Sequence, residues 1–213
     1  MTSVTGAPAA AGWRGYDADA DSTIDFRVFM LVVPRLSVEP MRYEDIAAVQ
    51  AIERQVFASP WPKNAYASEL SQNRQASYVV LRQDGGIVGY AGLWRVALEA
   101  HVTTIGVRAG DHSKGYGTVL FTALVQRAYA LGARWITLEV RDTNDHAIRL
   151  YERFGFKVIG RRRGYYTDNG EDAVIMWSDS IHAPEFKRSF MAILNGLDVA
   201  GVGGGPSMEY PPA

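Results

Sequence analysis

The sequence predicts an α/β fold in which helices flank a central mixed β-sheet, and two observations carry this prediction. Apolar residues alternate in short runs, as in strands, and recur at three-and-four spacing in longer runs, as in helices. These runs follow one another in the order β-α-α-β-β-β-α-β-α-β-β. A chain with this order buries its apolar faces as an α+β mixed sheet with helices on both sides.

Composition excludes several classes of function. Of the 213 residues, 47% are apolar and 21% are charged, as in a globular chain with one core of ordinary size. A net charge of -1 and a pI near 6.4 argue against nucleic acid as a partner. The absence of cysteine excludes disulfides, thiolate metal sites and a cysteine nucleophile, and the four histidines show no metal-ligand spacing. The longest apolar run, at 28–33, is too short to span a bilayer and lacks the features of a signal peptide. We therefore expect a cytoplasmic monomer without a metal or a membrane segment.

The chain divides into one predicted domain and two extensions. Residues 1–35 form an N-terminal extension that is rich in alanine and glycine and carries an acidic run at 17–21. The domain is expected at 36–182. Residues 183–213 form a C-terminal extension, in which apolar spacing predicts one short helix before a Gly- and Pro-rich end. Residues 1–34 and 199–213 are expected to make little buried contact, and the ends of the chain are expected to be flexible.

The first half of the domain is predicted to hold four strands and two helices. The predicted strands are 36–40, 77–82, 87–96 and 99–107, and the predicted helices are 43–57 and about 63–70. Pro60 and Pro62 end the first helix, because proline cannot continue one. Asp84, Gly85 and Gly86 join two of the strands as a hairpin. Residues 28–33 could add a further strand or pack on the core.

The second half begins with the longest helical pattern, which starts after Gly117 and reaches Leu131. Thr143, Asn144 and Asp145 are typical of a helix start, and Gly155 ends the helix that follows. The elements after the long helix are a central strand at 135–140, a helix at about 143–154, and hairpin strands at 157–163 and 173–177.

The strongest local signal is the pair Gly115 and Gly117 at the start of the long helix. Glycines there leave backbone N–H groups unshielded, and the positive end of the helix dipole favours a phosphate or pyrophosphate. The order Ser113-Lys114-Gly115 is not that of a P-loop, and Gly117 is followed by Thr-Val-Leu, without the third glycine of a dinucleotide fingerprint. The glycines could also serve only to tighten a strand-to-helix turn. A socket for a phosphate that is held rather than transferred fits the pattern better.

The segment His112-Ser113-Lys114-Gly115-Tyr116-Gly117 resembles the acyl-coenzyme A loop of the GNAT N-acetyltransferase superfamily, whose pattern is Arg/Gln-x-x-Gly-x-Gly/Ala at a helix start. Both glycines match, whereas His112 departs from the usual residue. Further segments resemble the RimI-type branch of that superfamily, over about residues 36–178. These segments are 60–61, 104–107, 138–141, 150–156, 162–166 and 171–173, together with Asn144.

The resemblance implies the GNAT acyl-CoA N-acyltransferase fold and a specific reaction. RimI-type enzymes transfer acetyl from acetyl-CoA to the N-terminal alanine of a small-subunit ribosomal protein, and coenzyme A is the product. By this resemblance Glu139 would be the general base and Tyr151 the general acid. Because no cysteine can carry the acetyl group, transfer should be direct, within a ternary complex.

The resemblance also assigns two sets of binding residues. The coenzyme would lie against Ile105, Gly106, Val107, His112, Ser113, Lys114, Gly115, Tyr116, Gly117, Thr118 and Asn144. Backbone N–H groups of the first three would bind the pantetheine and the thioester carbonyl, and those from His112 to Thr118 would hold the pyrophosphate. The first residues of the substrate peptide would lie between Phe57, Trp61, Tyr165 and Tyr166.

Each of these assignments has a structural alternative. Glu139 stands in a strand otherwise almost free of charge, where partial burial would raise its pKa toward that of a general base, but it could also face solvent. Tyr151 could be a core residue instead of a proton donor, and Tyr165 and Tyr166 could be ordinary hairpin aromatics. Two other functions stay open, namely a GNAT enzyme for a small-molecule amine and a non-catalytic CoA-binding module.

Overall fold

The computed structural model describes residues 32–33 and 36–196. Its strands are β1 (Val32–Val33), β2 (Leu36–Pro40), β3 (Ala76–Gln83), β4 (Gly86–Val96), β5 (Glu99–Val107), β6 (Trp135–Arg141), β7 (Lys157–Tyr166) and β8 (Glu171–Trp177). Its α-helices are α1 (Ile46–Val56), α2 (Ala65–Gln72), α3 (Tyr116–Ala130), α4 (Asp145–Arg153) and α5 (Pro184–Gly196), and short 3-10 helices span Tyr43–Asp45 and Ala109–Asp111.

One mixed sheet runs through the described chain, which confirms the predicted fold class. The strand order is β1-β2-β3-β4-β5-β6-β8-β7. All neighbours are antiparallel except β5 and β6, which run parallel. Their connection contains α3, as a crossover between parallel strands requires.

Helices cover both faces of the sheet and create two apolar clusters. The larger cluster contains α3, whose Leu120, Phe121 and Leu124 are buried against the central strands. The smaller cluster lies on the other face. Its buried members are Met41, Val49, Ile52, Tyr66, Tyr78, Val80 and Tyr90, and it includes residues of α1 and α2. The period-3.6 pattern of the helices thus points each apolar stripe at the sheet.

The parallel strands β5 and β6 pair only along their first residues. The paired register begins at Glu99 and Trp135 and ends at Val102 and Leu138. Residues 103–107 of β5 and 139–141 of β6 then continue without pairing to each other. A register shift beside Gly92 also leaves Thr103 as an extra residue in β5, which is the pattern of a β-bulge. The sheet therefore opens at its centre, between the carboxyl ends of two adjacent strands.

The ends of the chain differ from the predicted organisation. Val32–Val33 pairs with β2, so this part of the apolar run does add a strand. The predicted C-terminal helix forms as α5, but Phe186, Phe190 and Ile193 are buried in the larger cluster, because their three-and-four spacing gives the helix an apolar face. The boundary placed after residue 182 therefore separates a helix from the core that it packs into. The acidic run and the expected flexible ends lie outside the described residues.

Candidate active site

The loop before α3 exposes a row of backbone N–H groups. Gly115 caps the helix with φ of +81°, a left-handed conformation that favours glycine, and Tyr116 is the first helical residue. The first backbone bonds of α3 run from Thr118 and Val119 to the Gly115 carbonyl. Within the described chain, the N–H groups of residues 113–117 donate no hydrogen bond. They therefore form a socket of unpaired donors at the positive end of a long helix.

Side-chain contacts on the protein side of this loop hold it in place, away from the unpaired N–H groups. Asp111 is buried and accepts hydrogen bonds from Arg108 Nε at 2.5 Å and from Lys114 Nζ at 2.7 Å. These hydrogen bonds lower the pKa of the Asp111 carboxyl. His112 Nε2 lies 2.8 Å from the carbonyl oxygen of Val107, at the end of β5. The side chain at the position that departs from the family pattern thus ties the loop to the strand.

Gly117 and Gly106, both predicted to contact the coenzyme, have different surroundings. Gly117 lies inside α3, so the prediction that the helix follows it is wrong by two residues. An added Cβ at Gly117 would meet only Leu150 Cδ2, at 3.7 Å. At Gly106 an added Cβ would lie 2.5 Å from the Tyr90 ring. Gly106 therefore has a packing role of its own, whereas Gly117 has room for a side chain on its protein side.

Glu139 is almost fully buried beside the point where β5 and β6 separate, with 9% of its side chain exposed. Its Oε2 lies 3.1 Å from His101 Nε2, and its Oε1 lies 3.1 Å from Arg162 Nη2. The hydrogen bond from His101 and the charges of His101 and Arg162 outweigh desolvation and lower the pKa of Glu139. The prediction that burial would raise this pKa is therefore wrong, because the sequence does not show which basic groups fold against the carboxylate.

Tyr151 is a core residue that also lies within electrostatic range of Tyr166. Its ring meets Phe121 edge-on with centroids 4.9 Å apart, and 8% of the residue is exposed. Burial raises the pKa of its hydroxyl, so the hydroxyl stays protonated near neutral pH. Tyr166 lies close enough to influence Tyr151 electrostatically and is itself influenced by Glu139. The structure thus brings Glu139, Tyr151 and Tyr166 to one region.

Arg141 organises the hairpin that carries the two predicted substrate tyrosines. Its guanidinium lies 3.9 Å from the centroid of the Tyr166 ring. Its Nη2 binds both carboxylate oxygens of Asp168, at 2.9 and 2.8 Å, and its Nη1 binds Glu171 at 2.8 Å. Hydrogen bonds from Thr143 and Arg141 lower the pKa of Glu171 to about 2. Arg141 belongs to a segment that carries the family resemblance, yet no sequence pattern pairs it with acidic residues about thirty positions away.

Trp61, a predicted substrate residue, packs beside α1 and α2. Its ring stacks on Tyr66 with centroids 5.4 Å apart. Its backbone N–H donates to Glu53 Oε1 at 3.2 Å, and burial raises the pKa of this carboxyl. Phe57 caps α1 and packs on the same smaller cluster. The sequence pattern does not single out Glu53 as a buried carboxylate, because it lies among the apolar positions of a helix.

Asn144, predicted to lie on the coenzyme side, is the N-cap of α4. Its Oδ1 accepts a hydrogen bond from the Ala147 N–H at 3.1 Å. This bond uses the carbonyl half of the amide and leaves its NH₂ group without a partner among the described residues. The described chain contains no group of three or more His, Asp or Glu residues that could hold a metal ion, and none of its helices meets the length and apolarity of a membrane span.

Comparison with known proteins identifies the family. The model of the acetyltransferase (GNAT) family matches residues 46–156, more than half of the chain. An N-alpha-acetyltransferase RimI of Mycobacterium tuberculosis is 39% identical over 61% of this chain and 83% of its own length. A candidate [ribosomal protein bS18]-alanine N-acetyltransferase of Bacillus subtilis is 42% identical over 67% of this chain and 95% of its own length.

A solved structure supports the same relationship. The crystal structure of the ribosomal-protein-S18-alanine N-acetyltransferase from Escherichia coli superposes with a TM-score of 0.64 and 32% identity, over 70% of this chain and 97% of that one. Ard1 from Thermoplasma volcanium, 23% identical with a TM-score of 0.61, shares the fold. The resemblance seen in the sequence is confirmed, and the chain belongs to the GNAT family of acetyltransferases.

Proposed function

We propose that this chain is a protein N-α-acetyltransferase that moves acetyl from acetyl-CoA to the N-terminal alanine of a small-subunit ribosomal protein, in the cytoplasm. The observation that carries the proposal is the joint position of two features. The unpaired N–H groups of residues 113–117 lie at one end of the sheet opening, and the buried carboxylate of Glu139 lies at the other. The relatives named for ribosomal protein bS18-alanine supply the substrate class.

The residues present fit a coenzyme A pyrophosphate. Of the predicted segment from His112 to Thr118, the N–H groups of residues 113–117 would hold its oxygens, because those of His112 and Thr118 already bond to the Ala109 and Gly115 carbonyls. The part of β5 that does not pair with β6, with Ile105, Gly106 and Val107, would bind the pantetheine by main-chain hydrogen bonds. The free amide NH₂ of Asn144 would add a donor from α4. The bound thioester supplies the activated acetyl group, and the chain positions it, accepts a proton and donates one.

The resemblance assigns the acid and base roles. The protonated hydroxyl of Tyr151 would give its proton to the departing sulfur, and Glu139 with its neighbours would accept the proton of the amine. Phe57 and Trp61 on one side and Tyr165 and Tyr166 on the other would flank the peptide. An open groove between these two pairs would favour a chain terminus, whereas a closed pocket would favour a small amine.

The choice of an α-amine rests on its acidity. A free α-amino group has a pKa near 8, whereas lysine titrates near 10.4, so a lysine needs roughly two pKa units more help. We expect peptides that begin with alanine to be acetylated well, and the same peptides with a blocked N-terminus and a free lysine to react poorly. The test is a peptide panel that differs only in the first residue, followed by mass spectrometry.

Each rival has its own outcome in that panel. Turnover of polyamines or other small amines, without turnover of peptides, would support a small-molecule enzyme. Binding of acetyl-CoA by calorimetry without acetylation of any amine would support a non-catalytic module. An acetylated enzyme that forms before peptide is added would contradict direct transfer.

A further inference from the structure

We propose that Gln50 and Glu53 of α1 are positioning residues for the substrate peptide, because they hold in place the loop of residues 57–64 between α1 and α2. This inference rests on the proposed function, in which Trp61 of this loop flanks the peptide. Neither Gln50 nor Glu53 is proposed to touch the peptide or the coenzyme. Both act through the loop, so their loss should weaken peptide binding and leave the chemical step unchanged.

The 57–64 loop has few means of fixing its own position. Residues 58–60 and 62–64 are exposed, and the loop contains neither helix nor strand. Pro60 and Pro62 have no N–H group, so the Trp61 N–H is the single backbone donor of the Pro-Trp-Pro segment. Pro62 also disfavours a helical conformation at Trp61. Contacts from outside the loop must therefore hold it.

Two side chains of α1 make such contacts. Glu53 Oε1 accepts a hydrogen bond from the Trp61 N–H at 3.2 Å. Gln50 Nε2 donates a hydrogen bond to the Lys63 carbonyl oxygen at 2.6 Å. Gln50 and Glu53 are three positions apart, so they are neighbours on one face of the helix. One bond uses a backbone donor of the loop and the other uses a backbone acceptor, so α1 holds the loop on both sides of Pro62.

The burial of Glu53 indicates a role beyond the stability of α1. Glu53 is 2% exposed, on the same buried side of the helix as Val49 and Ile52. Burial raises the pKa of its carboxyl, and the hydrogen bond from the Trp61 N–H only partly opposes this. A leucine of similar size would avoid the cost of burying the carboxylate. The hydrogen-bond partner of Glu53 is a loop N–H, so the contact serves the loop.

The same contact determines where the Trp61 ring lies. The ring stacks on Tyr66, at an interplanar angle of 21°, and meets Tyr78 edge-on with centroids 6.4 Å apart. Both tyrosines are buried. Stacking fixes the plane of the indole, and the bond from the Trp61 N–H to Glu53 fixes the backbone from which the ring extends. Trp61 itself is only partly buried, so part of its ring stays available to a peptide.

The first test compares the kinetics of Glu53→Leu and Glu53→Gln with those of the wild type, using an alanine-initiated peptide. Glu53→Leu removes the acceptor but suits the apolar surroundings, so its melting temperature should change by only a few degrees. Its peptide KM should rise about 10-fold, as for loss of one hydrogen bond, with kcat within about three-fold of the wild type and unchanged coenzyme affinity by calorimetry. Glu53→Gln keeps an oxygen for the Trp61 N–H and should restore a KM close to that of the wild type.

Two further variants separate positioning from packing. Gln50→Ala removes the other hydrogen bond at a partly exposed helix position, so it tests the inference even if Glu53→Leu does not fold. Its peptide KM should rise about three-fold. Ile52→Val is the matched control, because Ile52 is the preceding residue of α1, is 3% exposed and packs in the smaller cluster. This variant should lower the melting temperature and leave the peptide KM unchanged.

Hydrogen exchange of the Trp61 amide, followed by NMR, tests the same contact without turnover. This N–H is bonded to Glu53 in the wild type, so it should exchange about 10-fold faster in Glu53→Leu and at nearly the wild-type rate in Glu53→Gln. Faster exchange in Glu53→Leu alone would show that the carboxylate holds the loop, whatever the substrate is.

Two results would overturn the inference while leaving the proposed function intact. The first is a peptide KM that stays at the wild-type value in both Glu53→Leu and Gln50→Ala. The second is an equal rise of KM in Glu53→Leu and Ile52→Val, which would reduce Glu53 to a packing residue. A wild-type protein that acetylates no peptide N-terminus would instead contradict the proposed function itself.

Discussion

Gly117 is the single residue at which a side chain tests the phosphate socket most directly. Its protein side has room, since an added Cβ would meet only Leu150 at 3.7 Å, and its φ is not in the left-handed region. Gly117→Val should therefore leave the fold intact while placing a branched side chain beside the unpaired N–H donors. We expect coenzyme affinity by calorimetry to fall at least about 100-fold, as for loss of several charge-assisted hydrogen bonds.

Gly160→Val is the matched control for this substitution. Gly160 lies in β7, and an added Cβ there would meet Ile175 at 3.6 Å, so the local packing is similar. That variant should bind the coenzyme like the wild type. Equal affinity of Gly117→Val and the wild type would contradict a socket at the start of α3.

The role of a residue was predictable where a local sequence pattern indicates that role. Gly115 and Gly117 indicate a helix start that binds an anion, and the structure shows unpaired donors there. The environment of Glu139 was not predictable, because His101 and Arg162 come from strands distant in the sequence. Its pKa depends on those contacts, so local sequence gave the wrong direction.

At the scale of elements, Asn144 combines a cap with a predicted contact to the coenzyme. Asn144→Ala removes the cap of α4 and should lower the free energy of unfolding by about 1 kcal/mol in urea titrations. Asn144→Asp keeps an equally good cap but replaces the amide NH₂ with a negative charge. We expect Asn144→Asp to retain stability and to lose coenzyme affinity. Wild-type affinity in Asn144→Asp would limit Asn144 to capping.

The sequence does not predict where β5 separates from β6. Both strands are predicted in nearly the observed positions, since their alternation is local. Where pairing stops depends on the register between strands and on the bulge at Thr103, which are properties of the assembled sheet. The candidate site lies at that point, so its geometry required the fold.

At the scale of the whole molecule, the burial of α5 determines how far the chain can be shortened from its C-terminal end. Burial of Phe186, Phe190 and Ile193 stabilises the fold by roughly 1.5–3 kcal/mol for each side chain. The sum is comparable to the total stability of a typical domain. A chain that ends at residue 183 should therefore be insoluble or unfolded by circular dichroism, whereas one that ends at 198 should keep its activity within a few-fold. Equal melting temperatures of the two would contradict a structural role for α5.

Two N-terminal deletions test the role of β1 by the same kind of comparison. Removing residues 1–31 keeps β1, and removing 1–34 deletes it. Because β1 contributes only a short edge pairing to β2, both variants should retain activity within a few-fold. Loss of soluble protein in the longer deletion alone would assign β1 to the essential sheet.

The socket at the start of α3 has a consequence for how this loop can evolve. Backbone N–H groups are present whatever the side chains are at positions 112, 113, 114 and 116. Recognition of the anion therefore requires no particular side chain at these positions. At these positions the side chains serve the fold instead, since His112 contacts the Val107 carbonyl, Lys114 binds Asp111 and Tyr116 is buried in the larger cluster. A histidine can therefore stand where the family pattern has arginine or glutamine, while Gly115 keeps a left-handed conformation that favours glycine. Homologues of this enzyme are better recognised by the spacing of two glycines than by the residues between them.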